Sequence, residues 1–287
     1  MAIRNPVEWG VDQFRHAALA VESAGRAGRR TRENLHSPPP AIRRIRVGDL
    51  GDVLAKGLDD FAAYRTDVIF LCVFYPLVGL VLARLAFGYD LLPLIFPLAS
   101  GFALVGPFAA VGLEEMSRRR EAGMAVTWAD AFGVFRSPSF GAIVVLGLVL
   151  MAIFLLWLLA AEAIYQITLG PAPPVSLGGF VHDVLSTPTG WTMIGLGFGA
   201  GFLFALLVLA ISVVSFPLLL DQEVGVDTAV LTSIRAVFAN PGPMATWGLI
   251  VASGLVIASI PFFLGLIIVM PVLGHATWHL YRRIVPR

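Results

Sequence analysis

Charge is what this sequence has least of. Asp, Glu, Lys and Arg supply 14% of its 287 residues, against roughly 25% in an ordinary soluble domain. Cysteine occurs once, as Cys72, which excludes an intramolecular disulfide and a cysteine metal cluster. The net charge of +1 leaves no global field for nucleic acid. Residues 1–50 contain no continuous apolar core, so no cleavable signal peptide is expected and the N-terminus is expected to stay cytoplasmic. A P-loop, a nucleophile elbow, HExxH and CxxCH are all missing, and with them the usual signs of soluble-type enzymology.

What fills the space is apolar. Hydrophobic residues make up 57% of the chain and the mean hydropathy is +0.83. Uncharged or nearly uncharged runs cover 68–87, 91–113, 140–166 (interrupted by Glu162) and 190–216, each near or above the ~20 residues that cross a bilayer as helix. No Asp, Glu, Lys or Arg occurs between Arg235 and Arg282. Taken as one helix, 247–281 would be about 52 Å long against a hydrocarbon core of about 30 Å. Two shorter helices turning near the Ile-Pro-Phe-Phe of 260–263 fit better. With six spans every Lys and Arg except Arg84 falls on the cytoplasmic side, whereas five would move Arg282, Arg283 and Arg287 outside. The reading is an all-α, polytopic membrane helix bundle of about six transmembrane helices, with both termini cytoplasmic.

Internal similarity divides the chain further. A basic arm, 1–46, precedes a membrane domain, 47–287, with repeats at about 47–113, 125–217 and 225–283. Val7, Val11, Phe14, Ala18 and Val21 form an amphipathic stripe in the arm, followed by Arg26, Arg29, Arg30 and Arg32. This pattern suits anionic lipid headgroups, and equally a solvated tail. Each repeat opens on a short amphipathic run, at 46–61, 125–138 and 225–241, expected to be an interfacial helix ahead of a transmembrane hairpin. Thr127 with Asp130 reads as a capping box. Pro107, Pro217 and Pro271 fall in the second helix of each hairpin as expected kinks.

Several residues are candidates for chemistry. His275 and His279 stand one helical turn apart, at metal-ligand spacing, and a threefold arrangement of hairpins would bring Glu114 or Glu115 and Asp221 or Glu223 beside them. The competing reading is a boundary belt with Trp278 and Tyr281, the histidines facing headgroups. Glu162 and Arg84 share a depth that suits a structural ion pair. Gly195, Gly197, Gly199 and Gly201 match a loose dinucleotide pattern, but they follow no strand and read instead as small-xxx-small helix packing.

The stretches 106–119, 237–242 and 271–283 resemble an uncharacterised bacterial family of integral membrane proteins, a domain of unknown function. Some of its members are labelled cytochrome c oxidase subunits. The likeness runs from about Arg43 to the C-terminus and implies six membrane helices in a bacterial inner membrane without an established activity. His16, His36 and His182 lie outside the spans, so a haem–copper catalytic centre is excluded.

Three functions follow from these readings. The first is a non-enzymatic accessory, scaffold or assembly factor, with the bilayer and a membrane-protein complex, such as a respiratory one, as partners and with no cofactor. The second is a small-solute or ion transporter, which requires a polar path to mid-membrane. The third is a metal- or haem-binding protein, which requires His275 and His279 to point inward beside a carboxylate.

Overall fold

The computed structural model describes residues 40–64, 72, 76–81, 84, 92–172, 174 and 176–286. The basic arm up to residue 39 and most of the first apolar run, 68–87, lie outside the described residues. The described chain is helical throughout. Its bounded α-helices are α1 (Asp49–Ala63), α2 (Ile95–Ala109), α3 (Val111–Glu121), α4 (Phe140–Thr168), α5 (Leu177–Ser186), α6 (Pro188–Ser212), α7 (Ser215–Asp221), α8 (Val226–Ala239), α9 (Pro241–Ser259) and α10 (Leu266–Ile284). A 3-10 segment, Trp128–Arg136, sits between α3 and α4.

Four stretches are long and apolar enough to cross a membrane: Leu92–Glu121 over α2 and α3, Phe140–Thr168, Pro188–Asp221 over α6 and α7, and Pro241–Ser259. At 29 residues, α4 extends about 43 Å, well beyond a ~30 Å hydrocarbon core. The starts are set by side chains and proline. Thr187 accepts from the Gly190 N–H (2.9 Å) with Pro188 at the first helical position, and Pro241 opens α9 directly after Asn240. Large apolar side chains such as Leu159, Phe202, Leu203 and Leu249 are more than 60% exposed on these helices. That is the surface expected where acyl chains replace water.

The last apolar stretch does turn. Phe262 and Phe263 take φ values of 52° and 64°, a left-handed geometry costly for bulky residues. α9 and α10 then run antiparallel: Gly265 meets the Ala258 backbone, and further along Gly254 faces Val269. α10 differs from the four apolar stretches in being amphipathic, with His275, Trp278 and Tyr281 all buried.

The three prolines behave differently. Pro107 lies two residues before the end of α2, where the helix breaks at Ala110 and resumes as α3. Pro217 follows the break between α6 and α7 at Val213–Val214. Pro271 sits within α10, which stays continuous.

The core is densest at the charged end of the bundle. Trp278, Tyr281, Phe216, Leu218 and Met116 are fully buried there, and Trp157 and Trp247 extend it between the long helices. The three short amphipathic runs are all helical, as α1, the 3-10 segment and α8. Asp130 accepts from the Thr127 N–H (2.8 Å) and hydroxyl (3.0 Å), completing the expected capping box. The segment before α1 is stitched down as well. Arg43 donates its N–H to the Ile284 carbonyl (2.8 Å), and Ile45 donates to Asn240 Oδ1 (2.7 Å).

Candidate functional site: the seam between α1, α3 and α10

α1 buries Leu50, Val53, Gly57 and Asp60, at steps of three, four and three. This is the apolar stripe of an amphipathic helix, except that its fourth member is a carboxylate. The stripe lies on α10. Gly57 permits the contact: a Cβ there would come within 2.7 Å of Ala276 Cβ and 2.8 Å of both the Ala276 nitrogen and the Val272 carbonyl oxygen. The close approach drives Asp60 into the seam where α1, α3 and α10 meet.

There Asp60, 5% exposed, is bound from both other helices. Its Oδ2 accepts from the Ser117 hydroxyl of α3 (2.5 Å) and from Nε2 of His279 of α10 (2.9 Å). Its Oδ1 accepts from Arg120. Burial alone would raise the carboxyl's pKa, but the bonds from His279 and Ser117 outweigh it and hold the group below its ordinary value. Because Ser117 spends its proton on Asp60, its oxygen accepts from Nδ1 of His275 (2.8 Å). That fixes the neutral ring with its proton on Nδ1 and leaves Nε2 of His275 buried without a partner among the described residues.

A Ser, a His and an Asp in contact invite comparison with a hydrolase triad, but the order is wrong. A nucleophilic serine stands at the end of an Asp–His–Ser chain. Here Ser117 stands in the middle, 1% exposed, with its proton already donated to the carboxylate. The chemistry available is cohesion rather than nucleophilic attack.

Around this centre the remaining charges are paired. Arg118 and Arg119 bind Glu115 (2.6 and 2.7 Å), and Arg119 reaches Asp130 of the 3-10 segment (2.5 Å). Glu121 accepts from the Trp278 indole N–H (2.9 Å) and from Arg282 (3.2 Å). Asp221 of α7 accepts from the Tyr281 hydroxyl (2.8 Å) and from Arg282 (3.4 Å). Arg283 donates to Asp52 (2.8 Å). Glu114, 1% exposed, has no partner for either carboxylate oxygen among the described residues.

The sequence-derived candidates therefore separate. His275 and His279 point inward, and the carboxylate they share is Asp60, which His279 bonds directly and His275 reaches only through Ser117. Asp221 belongs with Tyr281 and Arg282, Glu114 stands alone, and no three His, Cys, Asp or Glu side chains among the described residues are placed to hold a metal. The boundary-belt reading is corrected: Trp278 and Tyr281 are 0% exposed, and their polar tips bond Glu121 and Asp221 at the edge of the core. Glu162 accepts from Gln166 (2.6 Å), and an ion pair with Arg84 is not among the contacts of the described residues. Of the four glycines expected to pack helices, only Gly201 does so, where a Cβ would come within 3.3 Å of the Trp157 ring; Gly195, Gly197 and Gly199 face open space.

Long apolar helices around a paired polar end define the chain as a multi-pass integral membrane protein. Residues 95–221 match the model of a family described as "Predicted integral membrane protein (DUF2189)", a family without an assigned function. No curated protein and no solved structure matches the chain.

Proposed function

We propose that the protein is a non-enzymatic accessory or assembly platform of a bacterial cytoplasmic membrane. It crosses six times, as the apolar runs of the sequence suggest, with the charged end inside. The positive-inside bias supports that orientation. The three-helix seam then presents a rigid cytoplasmic face to a neighbouring membrane complex, a respiratory one being the partner class named by the family resemblance.

The observation that carries this reading is where the spans spend their polar side chains. Ser212 donates to the Val208 carbonyl (2.6 Å), Ser215 to Ile211 (2.6 Å), Thr246 to Gly242 (3.0 Å) and Ser259 to Leu255 (2.8 Å). A hydroxyl that donates to its own helix has spent its one proton and has none left to give a solute. The test is reconstitution into liposomes with ion and proton flux recorded, beside metal and haem analysis and native electrophoresis of mildly extracted membranes. The platform reading expects flux equal to empty liposomes, no stoichiometric metal or haem, and co-migration with a second membrane protein.

One observation favours a carrier as the second reading. Glu114 is a buried carboxylate within a candidate span, without a partner among the described residues, and such residues mark ion and proton paths. Flux that disappears in Glu114→Gln would replace the platform with a carrier.

A further inference from the structure

The seam is not closed on its polar side. An open cavity of about 580 Å³ lies over it, within the range of small-ligand sites. Four cations line it: Lys56 from α1, Arg120 from α3, and Arg282 and Arg283 from α10. Only two carboxylates share the lining, Asp60 and Glu121. Asp49, Asp52 and Asp221, which hold Arg283 and Arg282 in place, do not line the cavity. The cations facing the opening therefore outnumber the lining carboxylates by two, while the other three acids back Arg282 and Arg283 from behind.

The guanidinium groups are fixed before any ligand arrives. Arg120 is held through Nη1 by Asp60, Arg282 through Nε and Nη1 by Glu121 and Asp221, and Arg283 through Nη2 by Asp52. Each guanidinium carries five N–H donors, so each keeps donors beyond those its carboxylates occupy. Pre-positioned forks of this kind match tetrahedral oxyanions, phosphate above all, and cost little ordering entropy on binding. Lys56 has no carboxylate partner among the described residues and is exposed, so its ammonium can reach over the opening.

The position adds to the chemistry. α3 ends the candidate span Leu92–Glu121, and Arg120 and Glu121 are its last two residues. The cavity therefore opens where a span leaves the hydrocarbon, at the depth of lipid phosphates. We propose that this cavity binds a phosphate-bearing group, either the headgroup of an anionic phospholipid or a soluble phosphate compound. The site lies on the same face as the platform and rests on that reading.

The test uses the full-length protein, purified in a neutral detergent, with the variants Lys56→Gln/Arg283→Gln and, as control, Arg136→Gln, an exposed arginine outside the cavity. Native mass spectrometry records retention of added phosphatidylglycerol and phosphatidylcholine, with and without millimolar inorganic phosphate. Circular dichroism verifies that each variant is folded. The expected result is retention of phosphatidylglycerol over phosphatidylcholine by wild type and Arg136→Gln, weakened roughly thirtyfold in the double variant, about fivefold for each cation removed at a membrane surface. Phosphate that displaces phosphatidylglycerol assigns the site to the phosphate itself. Phosphate that binds in the cavity while the lipid does not assigns the source to a soluble compound. Equal retention of phosphatidylglycerol by wild type and the double variant overturns the proposal, and so does retention of both lipids alike without an effect of phosphate. Loss of the site would leave the platform standing, while liposome flux would remove the platform and leave the site standing.

Discussion

Removing the Asp60 carboxylate should release α1 from the bundle while leaving the long helices intact. In Asp60→Ala, the Ser117 hydroxyl, 1% exposed, loses its acceptor at a cost of about 1–3 kcal/mol. The His279 side chain, 14% exposed, loses a hydrogen bond that water can only partly replace, worth about 1 kcal/mol more. Arg120, whose side chain is 37% exposed, turns to solvent and adds little. The total is about 3 kcal/mol, or roughly a hundredfold in the equilibrium for local opening. Hydrogen–deuterium exchange of the purified protein reads that equilibrium helix by helix. Amides of α1 should lose about two decades of protection, with those of α4 unchanged. Asp60→Asn keeps one acceptor oxygen and should fall between wild type and Asp60→Ala. If α1 in Asp60→Ala exchanges within about threefold of wild type, the carboxylate is not what holds the seam, and the reasoning fails.

Three further outcomes are expected. Gly57→Leu should free α1 as Asp60→Ala does, by about 1–3 kcal/mol of overpacking, because the obstructing atoms include the α10 backbone, which cannot rotate aside; exchange on α1 again reads it. The difference in α1 protection between wild type and Asp60→Asn should be complete above the unfolded carboxyl value of about 3.9. It should shrink as pH falls through the lower folded value, since a depressed acid stabilises only while ionised; Ser117, Arg120, His275 and His279 are the groups that surround it. Gly201→Leu should lower the thermal midpoint by collision with Trp157, whereas Gly195→Leu, which faces open space, should leave it unchanged or raise it.

The long helices were legible because they depend on one quantity, uninterrupted apolar length, that a sequence displays directly. The reversal at 260–265 was legible for the same reason: one helix would have been too long for the bilayer. The seam was harder to read, although its signal was there. Leu50, Val53 and Gly57 continue at the same steps to Asp60, so the carboxylate sits on the buried stripe; beside Asp59, it looked like one more charge on a wet face. Ser117 and Arg120 gave no signal, because their role depends on where α1 and α10 come together. The glycines of α6 failed for the opposite reason. Their spacing says that something can approach closely, and the fold puts a neighbour beside only one of the four. Trp278 and Tyr281 carry the composition of a membrane boundary, and only the acids of α3 and α7 reveal them as interior.

The seam also imposes an order on biosynthesis. α1 leaves the ribosome well before its partner α10, the last of the described helices, and Arg43 waits for the carbonyl of Ile284. Until that final helix emerges, the nascent protein carries α1 undocked, with Leu50, Val53 and Asp60 exposed to the cell. Emergence of α10 and closure of the charged end are thus one event, and a product terminated before α10 would display an uncovered apolar stripe that quality-control proteases could read.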